Sequence, residues 1–131
     1  MTLRATKRPA VLIVEDEFLL RMNAVEMIKE AGFEVVEAGN ADEAIAILEN
    51  RLDIRVVFTD IQMGDGPDGL SLADWIDAHW SGLPVLLTSG AFVPVGKTSG
   101  RPFIPKPYVY LQLERRLRAL LAQTSALKAE R

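Results

Sequence analysis

The sequence has 131 residues, of which 49% are hydrophobic and 25% are charged, and it contains no cysteine. These proportions are typical of one globular domain, which we expect over residues 9–123, with flexible termini at 1–8 and 124–131. The lack of cysteine excludes disulfides, thiolate zinc sites and a cysteine nucleophile. No apolar run approaches the roughly 18 residues of a membrane helix, and the basic start does not resemble a signal peptide. We therefore expect a cytoplasmic protein with no membrane contact.

The net charge of −3 is distributed unevenly along the chain. Residues 9–100 hold 16 acids against five bases, whereas both ends of the chain are basic. A basic end can indicate nucleic-acid binding. Here Arg115, Arg116 and Arg118 lie among leucines at helical spacing and without an aromatic platform, which is typical of a solvated helix face. The charge pattern therefore does not predict a DNA-binding domain.

The first half of the chain alternates short apolar runs with amphipathic segments. Ala10 to Val14 predicts a buried strand, and apolar residues at helical spacing after it predict a first helix. Phe33 to Glu37 predicts a second, shorter strand. Asn40 with Glu43 three residues later resembles a capping box, so a second helix is expected to begin there and to end near residues 50–52.

The middle of the chain repeats this alternation. Ile54 to Thr59 is apolar and β-branched, as in a central strand. A stretch rich in glycine and aspartate follows at 64–69 and predicts a turn. Apolar residues from Leu72 to Trp80 then recur at helical spacing, and Val85 to Thr88 predicts a fourth strand.

The last third departs from the alternation. Pro94, Gly96 and Gly100 leave room for at most a turn or two of helix between residues 91 and 100. Phe103 and Ile104 predict a short fifth strand, and a last amphipathic helix follows. Five apolar strands separated by crossovers indicate an α/β fold with a doubly wound, five-stranded parallel sheet and a shortened or missing fourth helix.

Polar side chains follow four of the five predicted strands. These residues are Glu15, Asp16, Asp60, Thr88, Ser89 and Lys106. In a parallel sheet the carboxyl ends of the strands share one edge, where ligands bind. Three carboxylates brought together repel one another unless a cation joins them, and an oxygen-rich cluster suits Mg²⁺, which commonly binds together with phosphate oxygens. The pattern therefore predicts a phosphoryl group as the substrate.

Four segments of the chain, taken together, are highly specific. They are Val11 to Glu17, Thr59 to Met63 with Asp68 to Leu70 behind it, Pro84 to Gly90, and Phe103 to Pro107. With these motifs the chain resembles the receiver domains of two-component response regulators over about residues 9–123. The resemblance implies a flavodoxin-like receiver fold with strand order 2-1-3-4-5. Since 131 residues leave no room for an effector domain, we expect the stand-alone, single-domain type.

The resemblance also implies the roles of the acidic residues. Asp60 corresponds to the phosphoacceptor. Glu15 and Asp16 correspond to the acidic pair that holds Mg²⁺, with Asp60 and the backbone carbonyl of Gln62 as further ligands. Glu15 stands where the family often has aspartate, which lengthens its reach to the metal by one methylene.

The remaining site residues follow from the same resemblance. Lys106 is expected to pair with a carboxylate oxygen before phosphoryl transfer and with a phosphoryl oxygen after it. Thr88 and Ser89 compete for the role of the hydroxyl that binds the phosphoryl group, and counting from Pro84 in the family pattern favours Ser89. Phe103 matches the aromatic position that follows the movement of this hydroxyl, although it also fits a simple core residue.

The implied function is that of a phosphoacceptor rather than an enzyme. The phosphoryl group would come from a sensor histidine kinase or a histidine phosphotransfer protein, and the signal would pass to an unidentified downstream protein. The alternative is a degenerate receiver that binds partners without phosphorylation, but this predicts the loss of Asp16, Asp60 or Lys106, and all three are present. An aspartyl-phosphate phosphatase is disfavoured because Gln62 stands where such enzymes usually have a general acid.

Three further polar residues invite functional roles but have simpler explanations. Asp65 and Asp68 lie in the glycine-rich stretch and are expected to serve the turn there. His79 lies near the end of the third predicted helix, beside Trp80, and is expected to have a surface or packing role.

Overall fold

The structure, a computed structural model, describes residues 8–93 and 96–129, with side chains as far as residue 123. The strands are β1 (Ala10–Val14), β2 (Glu34–Ala38), β3 (Ile54–Asp60), β4 (Val85–Ser89) and β5 (Phe103–Pro105). The helices are α1 (Phe18–Glu30), α2 (Ala41–Asn50), α3 (Gly69–His79) and α4 (Tyr110–Ala129). None of the helices in the described ranges is both long and apolar enough to cross a membrane.

The strands form one parallel sheet in the order β2-β1-β3-β4-β5. The predicted doubly wound topology is therefore confirmed. The order reverses between β1 and β3, where Val14 pairs with Thr59. In sheets of this kind the crevice beyond that point is where ligands bind, so the topology directs attention to the residues that follow β1 and β3.

Helices cover both faces of the sheet. Successive side chains of a strand point to opposite faces, so strands that are apolar throughout need a helical layer on each side. One face packs against α2 and α3, with a core that includes Leu12, Val57, Leu87, Leu48 and Ile76. The other packs against α1 and α4, with a core that includes Ile13, Phe58, Leu86, Ile28 and Leu117. All five residues of β1 and of β4 are buried, as expected for the interior strands of a sheet covered on both sides.

The predicted start of α2 is confirmed, with one difference. The side chain of Asn40 caps the helix, accepting a hydrogen bond from the backbone N–H of Glu43 at 2.8 Å. The Glu43 side chain does not return to the N–H of Asn40, as in a standard capping box. It accepts instead from the N–H of Gly39 at 2.7 Å, which fixes the turn that joins β2 to α2.

The connection between β4 and β5 contains no helix in its described part. Residues 96–100 form turns, and Gly96, Ser99 and Gly100 have φ values of 91°, 54° and 77°. Such backbone angles interrupt a helix, in agreement with the expected shortened or missing fourth helix. Pro94 lies outside the described residues.

The domain bounds of 9–123 stay a prediction, but the last helix is longer than they imply. Helix α4 continues to Ala129, six residues past the predicted domain end at 123. Of the two termini expected to be flexible, residues 1–7 and 130–131 lie outside the described residues.

Candidate functional site

Three carboxylates meet at the carboxyl edge of the sheet. Glu15 and Asp16 follow β1, and Asp60 is the last residue of the neighbouring strand β3. One oxygen atom from each of the three lies within 4.8 Å of the others. Glu15 and Asp60 are only 5% and 6% exposed, whereas Asp16 is exposed. These three residues, named the acidic cluster below, concentrate negative charge on partly buried groups.

Lys106, just beyond β5, extends into the acidic cluster. Its Nζ donates a hydrogen bond to Glu15 Oε1 at 2.9 Å and to Asp60 Oδ2 at 3.0 Å. The lysine side chain is 15% exposed, so these ion pairs are screened less than pairs on the surface. One ammonium against three carboxylates leaves the site short of positive charge.

Burial and charge shift the pKa values of two of these groups. Burial raises the pKa of Glu15, and repulsion from Asp60 adds to this effect, while hydrogen bonds from Lys106 and from the Glu17 N–H act in the opposite direction. Burial by itself lowers the pKa of Lys106, but the hydrogen bonds to Glu15 and Asp60 outweigh it, and the net pKa is raised. Lys106 is therefore charged at neutral pH, and the cluster resists further negative charge.

The second oxygen of Asp60 indicates that the acidic cluster fits a cation. Oδ1 is buried, and no residue that the structure describes offers it a hydrogen bond. A buried carboxylate oxygen without a partner is costly, and a divalent ion removes that cost. Both oxygens of Glu15 already accept hydrogen bonds, from Lys106 and from the Glu17 N–H. Asp16 and Asp60 Oδ1 are therefore the better candidate ligands, with Glu15 beside them. The backbone carbonyl of Gln62 stays a predicted ligand.

The two neighbouring hydroxyl groups at the end of β4 have different surroundings. Ser89 Oγ donates a hydrogen bond to Gln62 Oε1 at 2.7 Å, which places Ser89 next to the loop that follows Asp60. Thr88 pairs with Asp60 across the sheet, but its hydroxyl is buried and has no partner among the described residues. The structure thus places Ser89 beside the loop that follows Asp60, and the choice of Ser89 over Thr88 as the hydroxyl of the site stays a prediction.

Phe103 is the first residue of β5 and pairs with Leu87 of β4. It is partly buried and packs against the core on the α2 and α3 face of the sheet. Its backbone carbonyl accepts a hydrogen bond from the Arg116 side chain at 2.7 Å, which ties β5 to α4. Phe103 is thus a partly buried core residue in this structure. Its role in switching stays a prediction.

Gly69 supports the site in a way that sequence reasoning did not identify. A Cβ atom at this position would lie 2.1 Å from the backbone oxygen of Asp60. The Gly69 N–H also donates to the carbonyl of Ile61 at 2.8 Å. Only glycine allows the start of α3 to approach the backbone of Asp60 this closely. The pair Asp68-Gly69 was visible in the sequence, but nothing local indicated the contact.

Arg21 is a second supporting residue that the sequence did not reveal. Its Nη1 donates to the backbone carbonyl of Glu15 at 2.7 Å, and its Nε donates to Glu37 Oε1 at 3.1 Å. This arginine therefore links α1 to the end of β1 and to β2. It holds the backbone from which Glu15 and Asp16 project.

The simpler explanations for the other polar residues agree with the structure. Asp68 caps α3, accepting a hydrogen bond from the Ser71 N–H at 2.9 Å. Asp65 is exposed in the turn before it. His79 is exposed and stacks on Trp75 with ring centroids 4.4 Å apart, in agreement with a surface or packing role.

Comparison with known proteins identifies the family. The sequence pattern of the response regulator receiver domain matches residues 11–99, which is more than half of the chain. The chain belongs to the response regulator receiver domain family.

Two curated relatives are much longer than this receiver domain. The transcriptional regulatory protein PdtaR of Mycobacterium tuberculosis is 41% identical over 63 residues, which cover 47% of this chain and 31% of PdtaR. The virulence transcriptional regulatory protein PhoP of Shigella flexneri is 32% identical over 126 residues, which cover 92% of this chain and 55% of PhoP. The chain thus spans about half, or less, of the length of these relatives.

Solved structures of receiver domains share the fold. The receiver domain of the hybrid histidine kinase CckA is 32% identical, with a TM-score of 0.72 over 86% of this chain and 98% of that one. A receiver domain from Clostridium thermocellum has a TM-score of 0.82 over 90% of this chain and 98% of that one. At 22% identity, this second likeness concerns the fold alone.

Proposed function

We propose that this receiver domain accepts a phosphoryl group on Asp60, with Mg²⁺ held by the acidic cluster. The observation that carries the proposal is the state of the Asp60 carboxylate. Oδ2 accepts a hydrogen bond from Lys106, and Oδ1 is buried without a partner in the described ranges. One oxygen is thus held by a cation, and the carboxylate keeps lone pairs available for a metal ion or for phosphorus.

In the proposed step, an oxygen of Asp60 attacks the phosphorus of a phosphohistidine on a partner protein. An O–P bond forms, the P–N bond breaks, and the imidazole nitrogen keeps the electron pair of that bond. Mg²⁺ held by the acidic cluster would offset the negative charge that the phosphoryl group adds there. Lys106 moves one hydrogen bond from the carboxylate to a phosphoryl oxygen, and the Ser89 hydroxyl donates to another. Phe103 follows the movement of Ser89.

The phosphoryl donor is proposed to be a sensor histidine kinase or a histidine phosphotransfer protein in the cytoplasm. Phe18 and Leu19 open α1 just after the acidic pair, and they are 61% and 77% exposed. Large apolar side chains beside the site favour contact with a protein donor. The phosphorylated domain would then signal by binding a downstream protein. In this scheme it is a phosphoacceptor that takes part in its own phosphorylation, not an enzyme acting on another substrate.

Phosphorylation by acetyl phosphate tests the proposal without a cognate kinase. The protein is incubated with acetyl phosphate and Mg²⁺ or with EDTA, and intact mass spectrometry detects the addition of a phosphoryl group. We expect Mg²⁺-dependent addition that hydroxylamine removes, as it does from an acyl phosphate. Asp60→Asn should abolish the addition, whereas Asp65→Asn, a change at an exposed acid in the following turn, should retain it.

Two results would contradict the proposal. One is that the Asp60→Asn variant still gains a phosphoryl group that hydroxylamine can remove. The other is the absence of any Mg²⁺-dependent addition to the unaltered protein under conditions that phosphorylate another receiver domain. The second result would favour the alternative, a receiver that binds partners without being phosphorylated.

A further inference from the structure

The Ser89 hydroxyl is engaged by groups outside the acidic cluster. Its oxygen accepts a hydrogen bond from the backbone N–H of Ala91 at 3.0 Å. It donates to Gln62 Oε1 at 2.7 Å, while the carbonyl of Ala91, another acceptor, lies farther away at 3.3 Å. A hydroxyl group has a single proton to donate. In this structure that proton is directed at the side chain of Gln62.

We infer that Gln62 is a positioning residue that holds the Ser89 hydroxyl away from the phosphoryl group until Asp60 is phosphorylated. The inference rests on the proposed function, in which Ser89 donates its proton to a phosphoryl oxygen. Since the hydroxyl cannot donate fully to two acceptors, the hydrogen bond to Gln62 breaks when the bond to the phosphoryl group forms. No covalent bond changes in this exchange.

The positions of the two residues in the fold make this exchange a link between two loops. Gln62 lies two residues after Asp60, in the loop that follows β3, and Ser89 ends β4. The hydrogen bond joins these segments across 27 residues of sequence. Ser89 is 2% exposed, but Gln62 is exposed. The acceptor is therefore free to turn into solvent when Ser89 leaves it, at little cost in packing.

This role differs from a purely structural one in what it predicts for affinity. A hydrogen bond that exists only in the resting form favours that form and opposes binding of the phosphoryl group. Its removal should strengthen the response of the site. A hydrogen bond that merely supports the fold would, on removal, weaken the site or leave its affinity unchanged.

Beryllofluoride, which mimics a phosphoryl group, is the probe for the test. Its affinity is measured with excess Mg²⁺ for the unaltered protein and for Gln62→Met, which keeps a side chain of similar length but has no strong acceptor. We expect Gln62→Met to bind beryllofluoride about two- to tenfold more tightly, the factor that corresponds to one neutral hydrogen bond lost from the resting form. The same substitution at Gln112, an exposed glutamine of α4, is the matched control and should leave the affinity unchanged.

A double-mutant cycle shows whether Gln62 acts through Ser89. In a Ser89→Ala background there is no hydroxyl to hold, so adding Gln62→Met should change the affinity less than about twofold. NMR supplies a readout that does not depend on ligand. In the metal-free protein, Ser89→Ala should shift the side-chain amide resonances of Gln62, and Gln62→Met should shift the backbone resonances of residues 89–91 toward their beryllofluoride-bound positions.

The outcomes separate this inference from the proposed function. If the unaltered protein binds beryllofluoride but Gln62→Met binds it equally or more weakly, the inference is wrong and the proposed function stands. An equal gain with and without the Ser89 hydroxyl would also overturn the inference, since Gln62 would then act by another route. If the unaltered protein binds no beryllofluoride in the presence of Mg²⁺, the proposed function fails and the inference fails with it.

Discussion

Replacing Asp60 with asparagine removes one negative charge from the acidic cluster and nearly preserves the volume of the side chain. Oxygens of Glu15 and Asp16 lie within 4.8 Å of an Asp60 oxygen, so the repulsion is at least about 3.5 kcal/mol for each pair at an effective dielectric constant of about 20. On the same scale the attraction to Lys106 at 3.0 Å is about 5.5 kcal/mol. Solvent around exposed Asp16 reduces its share, so repulsion and attraction nearly cancel.

The cost of burying the charged carboxylate therefore decides the sign. Asp60 Oδ1 is buried without a partner in the described part of the chain, and a neutral amide at this position escapes most of that penalty. We expect Asp60→Asn to be more stable than the unaltered protein by about 1–2 kcal/mol when no metal is present. For a domain of this size the melting temperature should rise by roughly 3–8 °C.

Thermal unfolding followed by circular dichroism, in EDTA and then in excess Mg²⁺, checks this prediction. The metal should stabilise the unaltered protein, by about 2.7 kcal/mol at a concentration a hundred times the Kd, and should stabilise the variant far less. The order of stability should therefore reverse. Asp65→Asn should stay within about 0.5 kcal/mol of the unaltered protein in both conditions. A variant that is less stable in EDTA, or equal stabilisation of both proteins by Mg²⁺, would refute the reasoning.

Three further predictions concern the surroundings of Asp60. Gly69→Ala should destabilise the fold by about 3 kcal/mol in urea unfolding, because its Cβ would meet the Asp60 carbonyl, whereas Gly66→Ala, with open space around the new atom, should cost far less. Lys106→Met should retain Mg²⁺ binding but lose the NMR response of residues 88–93 to beryllofluoride; a full response would show that Lys106 does not couple the two loops. Burial raises the pKa of Tyr108 to about 12, although the positive charge of Lys106 acts in the opposite direction. The contribution of Tyr108 to stability is therefore complete below pH 10.0 and is lost as the pH rises through about 12. In a pH titration followed by tyrosinate absorbance, Tyr108→Phe should lack the transition that occurs at the highest pH. If that transition remains in the variant, the assignment to Tyr108 is wrong.

The strands of the sheet could be predicted to within about one residue because most of the apolar runs end at a polar side chain. The offset of one residue at the start of β2 shows what limits this approach. Phe33 is buried and extends the apolar pattern, yet the strand begins at Glu34, which pairs with Ala10 of β1. Burial and strand pairing are separate properties, and an apolar pattern reports only the first.

The residues that meet at the site could be predicted from the sequence, but the hydrogen bonds among them could not. Parallel strands bring their carboxyl ends to one edge, which was enough to place Asp60 near Glu15 and Lys106. The hydrogen bond between Lys106 and Glu15 spans 91 residues of sequence, and that between Ser89 and Gln62 spans 27. Such bonds depend on side-chain conformations and on the spacing of strands, which periodicity does not encode.

The connection between β4 and β5 is held by an arginine that sequence reasoning did not single out. Nη2 of Arg101 donates to Asp74 Oδ1 and to Asp77 Oδ2, both at 2.7 Å and both on α3. The arginine side chain is 16% exposed, whereas the two aspartates are 73% and 62% exposed. Each ion pair alone is worth little because its acid is solvated, but the two together fix the end of the segment 96–100 that replaces a helix.

Arg101→Gln should therefore loosen this segment locally while leaving the sheet intact. Backbone amides of Ser99 and Arg101 donate to Gly96 and Thr98 within the turns, at 3.2 and 3.0 Å, so their hydrogen exchange reports on the segment. We expect their exchange to accelerate about fivefold, corresponding to about 1 kcal/mol of local stability, with no change in the amides of β1 and β3. Arg115→Gln, at an exposed arginine of α4, should accelerate neither amide. Unchanged exchange in Arg101→Gln would mean that the pairing of β5 with β4, rather than the contacts with α3, holds the segment in place.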